Sequence, residues 1–494
     1  MANTEAFKKV FRNSISFSIG TLATKAISFF MLPVYTYFMT NTEYGMASTI
    51  LSFINTFSLL VLLGLRAAIL RFYSAIENPD KKKRFAGNVI LLILISGILV
   101  VSLSILLKQV LLRHLFTNMQ FFPLVFLGVI SLIPEALYYA YQSFLQADQK
   151  GEAYTQNSII YMLIYAGMNI VLIIGFRLGA LGMVVTMMTT PLIMSTYGII
   201  KMYHTDNLLF CFDSKIIKPT LKYSLPVVPH DLSSMIATYI SKIFLNNSVS
   251  YAATGLFTVS SQISNVMSLV QSSLNLAFHP WFNEQMNNGT EGRRNIKAFS
   301  IFIFAVYCYV SIFIALFSPE LLNILTPDGY QYAWKLVPLL TLALVINFIY
   351  YSHALTIFYN IRASKFIAVC SITGSLSNIV LSYFLITKYG SWGAVISYFI
   401  ARCITAFITV LYSRHVQKVD YGLPKMCIMT VGTAAIMLIG LSYGWVKEIN
   451  GFNYVNIIIK LCIVGTVTVA VFLWKRIVII EYAHMLLGKR KKGT

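Results

Sequence analysis

Charged residues are scarce in this chain. Only 11% of its 494 residues are Asp, Glu, Lys or Arg, whereas about 25% is usual in a soluble domain. Acidic residues are rarer than basic ones. The 17 Asp and Glu against 38 Lys and Arg give a formal net charge of +21. The composition excludes an ordinary soluble protein. Because the positive charges flank apolar segments, we expect no nucleic acid partner.

Cysteines are few, and a nucleotide-binding loop is absent from the sequence. The six cysteines show no paired or metal-ligand spacing, so neither a disulfide nor a metal site is predicted. No Gly-x-x-x-x-Gly-Lys-Ser/Thr loop is present, which argues against energy from nucleotide hydrolysis. We therefore expect no cofactor.

Apolar residues dominate the composition of the chain. The chain is 57% hydrophobic and 14% aromatic. Its apolar stretches are long enough for a hydrocarbon core of about 30 Å and predict an all-α polytopic membrane protein with about 14 spans. These predicted spans 1 to 14 are residues 11–38, 45–70, 85–107, 121–146, 155–176, 180–201, 223–246, 251–279, 298–318, 334–359, 366–387, 391–412, 426–446 and 454–474.

The lysines and arginines predict an orientation. With a cytoplasmic N-terminus, about 26 positive charges fall on the inner side and about 6 on the outer side, a strong positive-inside bias. Both termini are therefore predicted to be cytoplasmic. The basic tail Lys489-Arg490-Lys491-Lys492 is interpreted as a contact with lipid head groups.

Four landmarks recur at offsets of roughly 209 to 212 residues, as expected of an internal repeat. They are Asn169-Ile170-Val171-Leu172 with Asn378-Ile379-Val380-Leu381, Gly179 and Gly182 with Gly390 and Gly393, Tyr138-Tyr139 with Tyr350-Tyr351, and Gly45 with Gly255. Each unit has an even number of crossings, which predicts two six-helix bundles related by a pseudo-two-fold axis along the membrane normal.

The repeat predicts the domain organisation. Residues 1–205 form the N-terminal six-helix bundle, 206–222 a cytoplasmic linker, 223–420 the C-terminal six-helix bundle, and 421–494 two further helices with the basic tail. No connection is long enough for a catalytic domain, so we expect a protein that is not an enzyme.

Several motifs carry a family resemblance. They are Met31-Leu32-Pro33-Val34-Tyr35-Thr36-Tyr37-Phe38, Glu43-Tyr44-Gly45, Gly64-Leu65-Arg66-Ala67-Ala68, Arg71-Phe72-Tyr73, Tyr223-Ser224-Leu225-Pro226, Gly255-Leu256-Phe257, Gly329-Tyr330 with Ala333, and Gly390-Ser391-Trp392-Gly393-Ala394. In order and spacing, the chain resembles the bacterial polysaccharide and O-antigen (Wzx-type) flippases. These belong to the multidrug/oligosaccharidyl-lipid/polysaccharide exporter superfamily.

The resemblance implies a flippase of the bacterial inner membrane that moves undecaprenyl-diphosphate-linked oligosaccharide repeat units for O-antigen, capsule or exopolysaccharide assembly. The partners it implies are that lipid-linked substrate, membrane lipids, and a polysaccharide polymerase with its chain-length regulator. Two alternatives of the same superfamily stay open, a multidrug cation antiporter and a lipid II flippase. A membrane-bound polymerase or glycosyltransferase is disfavoured, since those enzymes tend to carry a large outer loop.

Intramembrane cations are the first candidates for substrate binding, because a buried charge is costly and usually functional. Lys25, Arg66, Lys242 and Arg402 are predicted to face a wet cavity and bind phosphate or sugar acids. The alternatives are an ion pair of Lys25 with an intramembrane acid, contacts of Arg66 to carbonyls or lipid phosphates, packing for Arg402, and snorkelling for Lys242.

Two other cations are interpreted differently. Arg71 and Lys460 lie close to the ends of their spans and are predicted to be interfacial anchors. Glu43, at the edge of span 2, is interpreted as a loop or helix-capping residue.

Glu135 and Asp231 are the acids well inside predicted spans, and they are candidates for coupling to protons or sodium. Asp231 follows Pro226 and Pro229, and we expect a break in span 7 there. A structural salt bridge to a buried cation is the alternative for both acids.

Span 8 is rich in polar side chains and is predicted to line the cavity. Gln262, Asn265 and Gln271 would suit sugar hydroxyls, and His279 stands at its inner end. In lipid II flippases this span carries a cavity arginine, which is absent here; His279 is the nearest substitute and a candidate for substrate binding, and the difference disfavours a lipid II substrate. His353 is interpreted as a hydrogen-bonded packing residue, and sugar stacking by tyrosines is open without assignment.

Overall fold

The structure, a computed structural model, describes residues 2–360, 363, 365–446 and 453–469, although for a few of these the side chain is left out. Its first part is a series of helices without strands in the residues described. They are α1 (Ala2–Phe30), α2 (Leu32–Phe38), α3 (Asn41–Leu62), α4 (Leu65–Phe72), α5 (Pro79–Leu106), α6 (Lys108–His114), α7 (Phe126–Ile130), α8 (Leu132–Ala147), α9 (Gly151–Asn169) and α10 (Gly179–His204).

The second part continues in the same way. Its helices are α11 (Ser214–Ser224), α12 (Val228–Ser248), α13 (Tyr251–Ser264), α14 (Val266–Asn287), α15 (Gly289–Leu325), α16 (Val337–Tyr359), α17 (Lys365–Tyr389), α18 (Ser391–Val416), α19 (Leu423–Val446) and α20 (Tyr454–Val469). The basic tail, Lys489-Arg490-Lys491-Lys492, lies outside the described residues.

Eleven helical segments of the described chain are long and apolar enough to cross a membrane, and α20 is a shorter apolar helix. The prediction of an all-α polytopic membrane protein is therefore confirmed. Predicted spans 7 and 8 correspond to α12 and to α13 with α14, which are not among the eleven. Their many Ser, Asn and Gln side chains lower the hydropathy of these helices.

Predicted span 2 is broken in its inner half. Helix α3 begins with a capping box in which Thr40 and Glu43 satisfy each other's backbone amides, as the sequence indicated for Glu43. It ends at Leu63 and Gly64, which both have positive φ, at 51° and 67°. A Cβ on Gly64 would lie 2.4 Å from the carbonyl oxygen of Ser224, so glycine is required there. The break places Arg66 in the first turn of α4.

Predicted span 7 is also broken, at the expected proline. A 3₁₀ turn, Leu225–Val227, contains Pro226 and separates α11 from α12. Helix α11 occupies much of the predicted linker. This turn sets Asp231 in the first turn of α12.

The first and second parts of the chain meet along α3, which packs against α12 and α13. Ser48 lies at the centre of this contact and accepts hydrogen bonds from Lys242 and Thr258. One helical turn after Lys242 on α12, the amide of Asn246 donates to the hydroxyl of Thr49 at 3.0 Å. Asn41 donates to the carbonyl oxygen of Gly329. We call these contacts between α3 and α12–α13 the seal. The end of the molecule that carries the seal is called the opposite face, because it lies opposite the basic face described next.

The other end carries most of the positive charge, and we call it the basic face. Here Lys83 forms an ion pair with Asp206, and Lys297 forms one with Asp420. Each pair joins residues 123 apart, and the second pair follows the first by 214 residues. In the first part of the chain, the pair joins the segment after α10 to the start of α5. In the second part, it joins the segment after α18 to the first half of α15. The internal repeat thus extends to tertiary contacts.

The interpretation of Lys460 as an interfacial anchor is wrong. Its Nζ donates to Glu320 Oε1 at 2.6 Å, and the two side chains are 0% and 8% exposed. Predicted span 9 stopped at residue 318, whereas α15 continues to Leu325 and brings Glu320 inside the bundle. A buried cation of this kind requires a paired partner, and Glu320 supplies it.

Candidate binding cavity

Three adjoining pockets, which we call lobes, lie close to the seal; two of them lie between the two parts of the chain and one lies within the first part. The central lobe has a volume of about 670 Å³, the N-lobe about 320 Å³ and the C-lobe about 550 Å³. Thr21 and Thr24 border both the central lobe and the N-lobe. Arg402 borders the central lobe and the C-lobe, and Arg66 borders the N-lobe and the C-lobe. These shared lining residues show that the three lobes adjoin one another, and together they form the candidate site.

All four predicted cations lie on the cavity wall. Lys25 is exposed on α1 and its Nζ donates to Ser272 Oγ at 3.0 Å. Arg66 is exposed at the junction of the N-lobe and the C-lobe. Neither belongs to an ion pair among the described residues with side chains. Both charges are thus held in an open space, where hydration offsets the cost of burial.

Arg402 and Lys242 are held more tightly. The Arg402 guanidinium donates to Asn347 Oδ1 at 3.3 Å and stands over the ring of Tyr398, 4.8 Å from its centroid. Lys242 is 8% exposed, and its Nζ donates to the Ser48 carbonyl oxygen at 3.1 Å. Rather than snorkelling to a membrane surface, Lys242 joins the seal to the central lobe.

The two candidate acids lie in different lobes. Glu135 borders the N-lobe, is 8% exposed and interacts with the hydroxyl of Tyr139. Asp231 is exposed in the C-lobe. In the part of the structure with described side chains, no ion pair joins either acid to Lys25. The structure therefore does not support that alternative for Lys25.

The predicted polar residues of span 8 divide into two groups. Gln262 and Asn265 line the central lobe. Gln271 is buried in α14, is not among the cavity-lining residues and has no partner for its amide nitrogen. The side chain of His279, also on α14, lies outside the described part of the structure. Predicted span 8 thus lines the cavity over α13 and the start of α14.

Tyrosines are the cavity residues that the sequence did not assign. Tyr138 and Tyr139 line the N-lobe, while Tyr350 and Tyr351 line the C-lobe. These two pairs are one of the four repeated landmarks, so the repeat was the signal that could have located them. His353 is buried, and its Nδ1 lies 3.1 Å from Ser413 Oγ, outside the cavity lining.

The cavity combines positive charge with hydroxyl, amide and aromatic groups. Lysine and arginine bind phosphate or carboxylate oxygens, and the amides of Gln262 and Asn265 both donate and accept hydrogen bonds. Such a surface suits an anionic ligand that also carries many hydroxyls.

Solved structures share this fold. The structure of "Lipid II flippase MurJ, inward closed conformation" aligns with a TM-score of 0.72 over 94% of this chain and 100% of that chain, at 14% identity. An inward-facing multidrug resistance MATE family transporter of the MOP superfamily aligns with a TM-score of 0.64 over 81% and 94%, at 16% identity. The Vibrio cholerae MATE transporter VcmN, in its bent form, gives 0.56 over 87% and 100%, at 14% identity.

Sequence comparison gives the family directly. A search of curated proteins finds no match. The family model described as "Polysaccharide biosynthesis protein" matches residues 10–286, more than half of the chain. The chain shares its fold with the lipid II flippase MurJ and with MATE transporters, and by this match it belongs to the polysaccharide biosynthesis protein family.

Proposed function

We propose that this protein is a flippase for undecaprenyl-diphosphate-linked oligosaccharide repeat units in the bacterial inner membrane. The observation that carries the proposal is the site formed by the three adjoining lobes, lined by Lys25, Arg66, Lys242 and Arg402. A diphosphate cannot cross hydrocarbon unaided, and these cations would replace its hydration. The family match to polysaccharide biosynthesis proteins supports this substrate class.

The proposed domain organisation follows the internal repeat. Residues 1–205 and 223–420 form two bundles related by a pseudo-two-fold axis, 206–222 link them on the cytoplasmic side, and 421–494 add the final helices and tail. The duplicated ion pairs Lys83–Asp206 and Lys297–Asp420 support the repeat. The basic face is the cytoplasmic face, because positive charge is retained on that side.

This orientation gives the direction of loading. Most direct hydrogen bonds between α1–α10 and α12–α18 in the described structure lie at the seal and the opposite face, whereas the one from Lys25 to Ser272 crosses at the cavity. The cavity lies on the other side of the seal, so the described state would receive substrate from the cytoplasmic leaflet. Release to the periplasmic leaflet would require the seal to part.

Ion coupling is proposed to drive the cycle, with Glu135 and Asp231 as the coupling acids. They lie in separate lobes that both adjoin Arg66. Tyr139 hydrogen-bonds Glu135, and both line the lobe that Arg66 also borders. A change in the charge of Glu135 would therefore reach a cation that we assign to the substrate.

The test is leaflet accumulation of labelled undecaprenyl-diphosphate oligosaccharide in cells lacking the gene, with complementation. We expect accumulation on the cytoplasmic side that is relieved by the wild type but not by Lys25→Ala or Arg66→Ala at equal protein abundance. Lys108→Ala is the matched control, since Lys108 is exposed and outside the cavity. Normal surface glycan in the deletion strain would refute the proposal.

A multidrug cation antiporter is the second candidate, favoured by one observation. Glu135 lies among tyrosines in the N-lobe, a combination that attracts organic cations. The four cavity cations oppose it. Uptake of ethidium into inverted vesicles, lost in Glu135→Gln, would favour this function, and absence of uptake would exclude it for this dye.

A further inference from the structure

Arg402 is held in one direction by two neighbours from different helices. On α18 it follows Tyr398 by four residues, which places both on the same helix face. Its guanidinium carbon stands 4.8 Å from the centroid of the Tyr398 ring. From α16, Asn347 accepts a hydrogen bond at Oδ1 from Nη1 of Arg402 at 3.3 Å, and Asn347 is 6% exposed. A cation–π contact and a hydrogen bond together restrict the rotamers of a long side chain.

Neither neighbour neutralises the arginine. Asn347 contributes an amide and Tyr398 a phenol ring. Among the described residues with side chains, no ion pair joins Arg402 to a carboxylate, and this includes Asp231 of the same lobe. A carboxylate partner would cancel the charge and occupy two donors of the guanidinium in a fork. The position of Arg402 is therefore fixed while its charge is kept.

The guanidinium remains open to a ligand. Arg402 is partly exposed and borders both the C-lobe and the central lobe. A guanidinium has several N–H donors, so the bond to Asn347 leaves most of them available. The lining of the C-lobe close in sequence to these helices is polar but neutral, with Ser371, Ser375 and Thr405. An oriented guanidinium among hydroxyl groups suits a phosphate, which it can bind through two parallel hydrogen bonds.

The internal repeat shows that this arrangement belongs to the second part of the chain alone. At the offsets of the repeated tyrosine and glycine landmarks, 212 and 211 residues, Asn347 corresponds to Glu135 and Arg402 to Pro191. The first part thus has an acid without the cation, whereas the second part has the cation with an amide in place of the acid. Because Asn and Asp have nearly the same shape, the identity of residue 347 sets the net charge of this place.

We propose that Asn347 is a positioning residue that aims Arg402 at the diphosphate of the lipid-linked substrate without neutralising it, which makes the wall around Arg402 the diphosphate subsite. This proposal rests on the proposed function, since it assigns the anionic group of the same substrate to one place in the cavity. The neutral amide at residue 347 is then a determinant of specificity for an anion.

Binding of two lipids tests the subsite. Purified protein in nanodiscs is titrated with undecaprenyl diphosphate and with undecaprenol, which has the same tail and no phosphate. We expect Asn347→Asp to weaken binding of undecaprenyl diphosphate by at least about tenfold, because the new carboxylate pairs with Arg402. Its Tm should stay equal or rise, since the arginine gains an ionic partner. Binding of undecaprenol should not differ between the variant and the wild type.

Further variants separate positioning from a structural role. Asn118→Asp makes the same replacement at an exposed residue outside the three lobes, and it should bind both lipids like the wild type. Asn347→Leu removes the acceptor and leaves the charge, so it should weaken binding of the diphosphate by about threefold. In an Arg402→Gln background, Asn347→Leu should cause no further loss. This cycle carries the test if Asn347→Asp does not purify as a single species.

The outcomes distinguish this subsite from the proposed function. Equal affinity of Asn347→Asp and wild type for undecaprenyl diphosphate would overturn the subsite alone. An equal loss for undecaprenol would also overturn it, because the variant would then not act on the phosphate. A loss from Asn347→Leu that persists in the Arg402→Gln background would show that Asn347 does not act through Arg402. Failure of the wild type to bind undecaprenyl diphosphate would refute the proposed function itself.

Discussion

Gly45 and Gly255, which lie 210 residues apart, pack reciprocally across the interface between the two parts of the chain. A Cβ on Gly45 would lie 1.9 Å from the carbonyl oxygen of Tyr251, and one on Gly255 would lie 2.4 Å from that of Asn41. Asn41 and Tyr251 are themselves 210 residues apart. Each glycine therefore meets the first residue of the helix that carries the other.

This contact predicts that Gly45→Ala opens the seal. The added methyl group cannot coexist with a backbone oxygen at 1.9 Å, so α3 and α13 must separate. We expect a lower Tm and faster labelling of a Ser261→Cys reporter in the central lobe by an impermeant maleimide applied from the side of the membrane on which the seal lies. Gly167→Ala is the control, since a Cβ there meets nothing within 4 Å. Unchanged Tm and labelling would contradict the prediction.

The buried pair Glu320–Lys460 predicts strong non-additivity. Lys460→Met leaves an unpaired buried carboxylate and should destabilise the protein by about 3–5 kcal/mol. The double variant Glu320→Gln with Lys460→Met should recover most of that loss, since no buried charge remains. Thermal unfolding in one detergent measures both. Lys25→Met, which removes a cation without an acid partner, should change Tm little. Additive losses in the double variant would show that the two charges do not act as a pair.

Lys242→Met separates the effect of Lys242 on folding stability from its proposed role in substrate binding. The lysine is almost fully buried and hydrogen-bonds a carbonyl oxygen instead of an acid, so its charge costs folding free energy. We expect the variant to keep or raise Tm while losing at least about tenfold in flipping rate, because the central lobe loses a cation. A variant with wild-type flipping would remove Lys242 from the substrate site.

The ion pair Lys297–Asp420 predicts a small acid dependence of stability. The hydrogen bond from Lys297 lowers the pKa of Asp420 below its usual range. A carboxyl with a lowered folded-state pKa adds stability above its unfolded pKa, and the contribution is lost as pH falls through the folded value. Both side chains are substantially exposed, so the contribution is under about 1 kcal/mol.

The measurement is Tm between pH 7 and pH 3 for the wild type and Asp420→Asn. The two curves should differ at neutral pH and converge at acid pH, and high salt should reduce the difference. Curves that stay parallel across this range would show that the pair does not contribute.

The sequence by itself determined the class of the protein and the location of most of its membrane helices, although predicted spans 2 and 8 are each two helices in the structure. Apolar runs predict membrane helices because each residue's hydropathy acts locally. Short-range chemistry also made Glu43 recognisable as a capping residue and Pro226 as a break. The repeat predicted that Gly45 and Gly255 are equivalent, although it gave no reason for glycine at either position.

Tertiary structure alone decided which intramembrane groups face each other. Lys460 lies near the end of its predicted span, and its partner Glu320 is 140 residues away, so no local pattern could distinguish a buried pair from an anchor. The same holds for the stacked tyrosine rings of the N-lobe, since α8 and α9 must pack together to bring Tyr138 onto Tyr161. Hydropathy places a helix in the membrane, but side-chain packing between helices determines which side chains meet and which cations line a cavity.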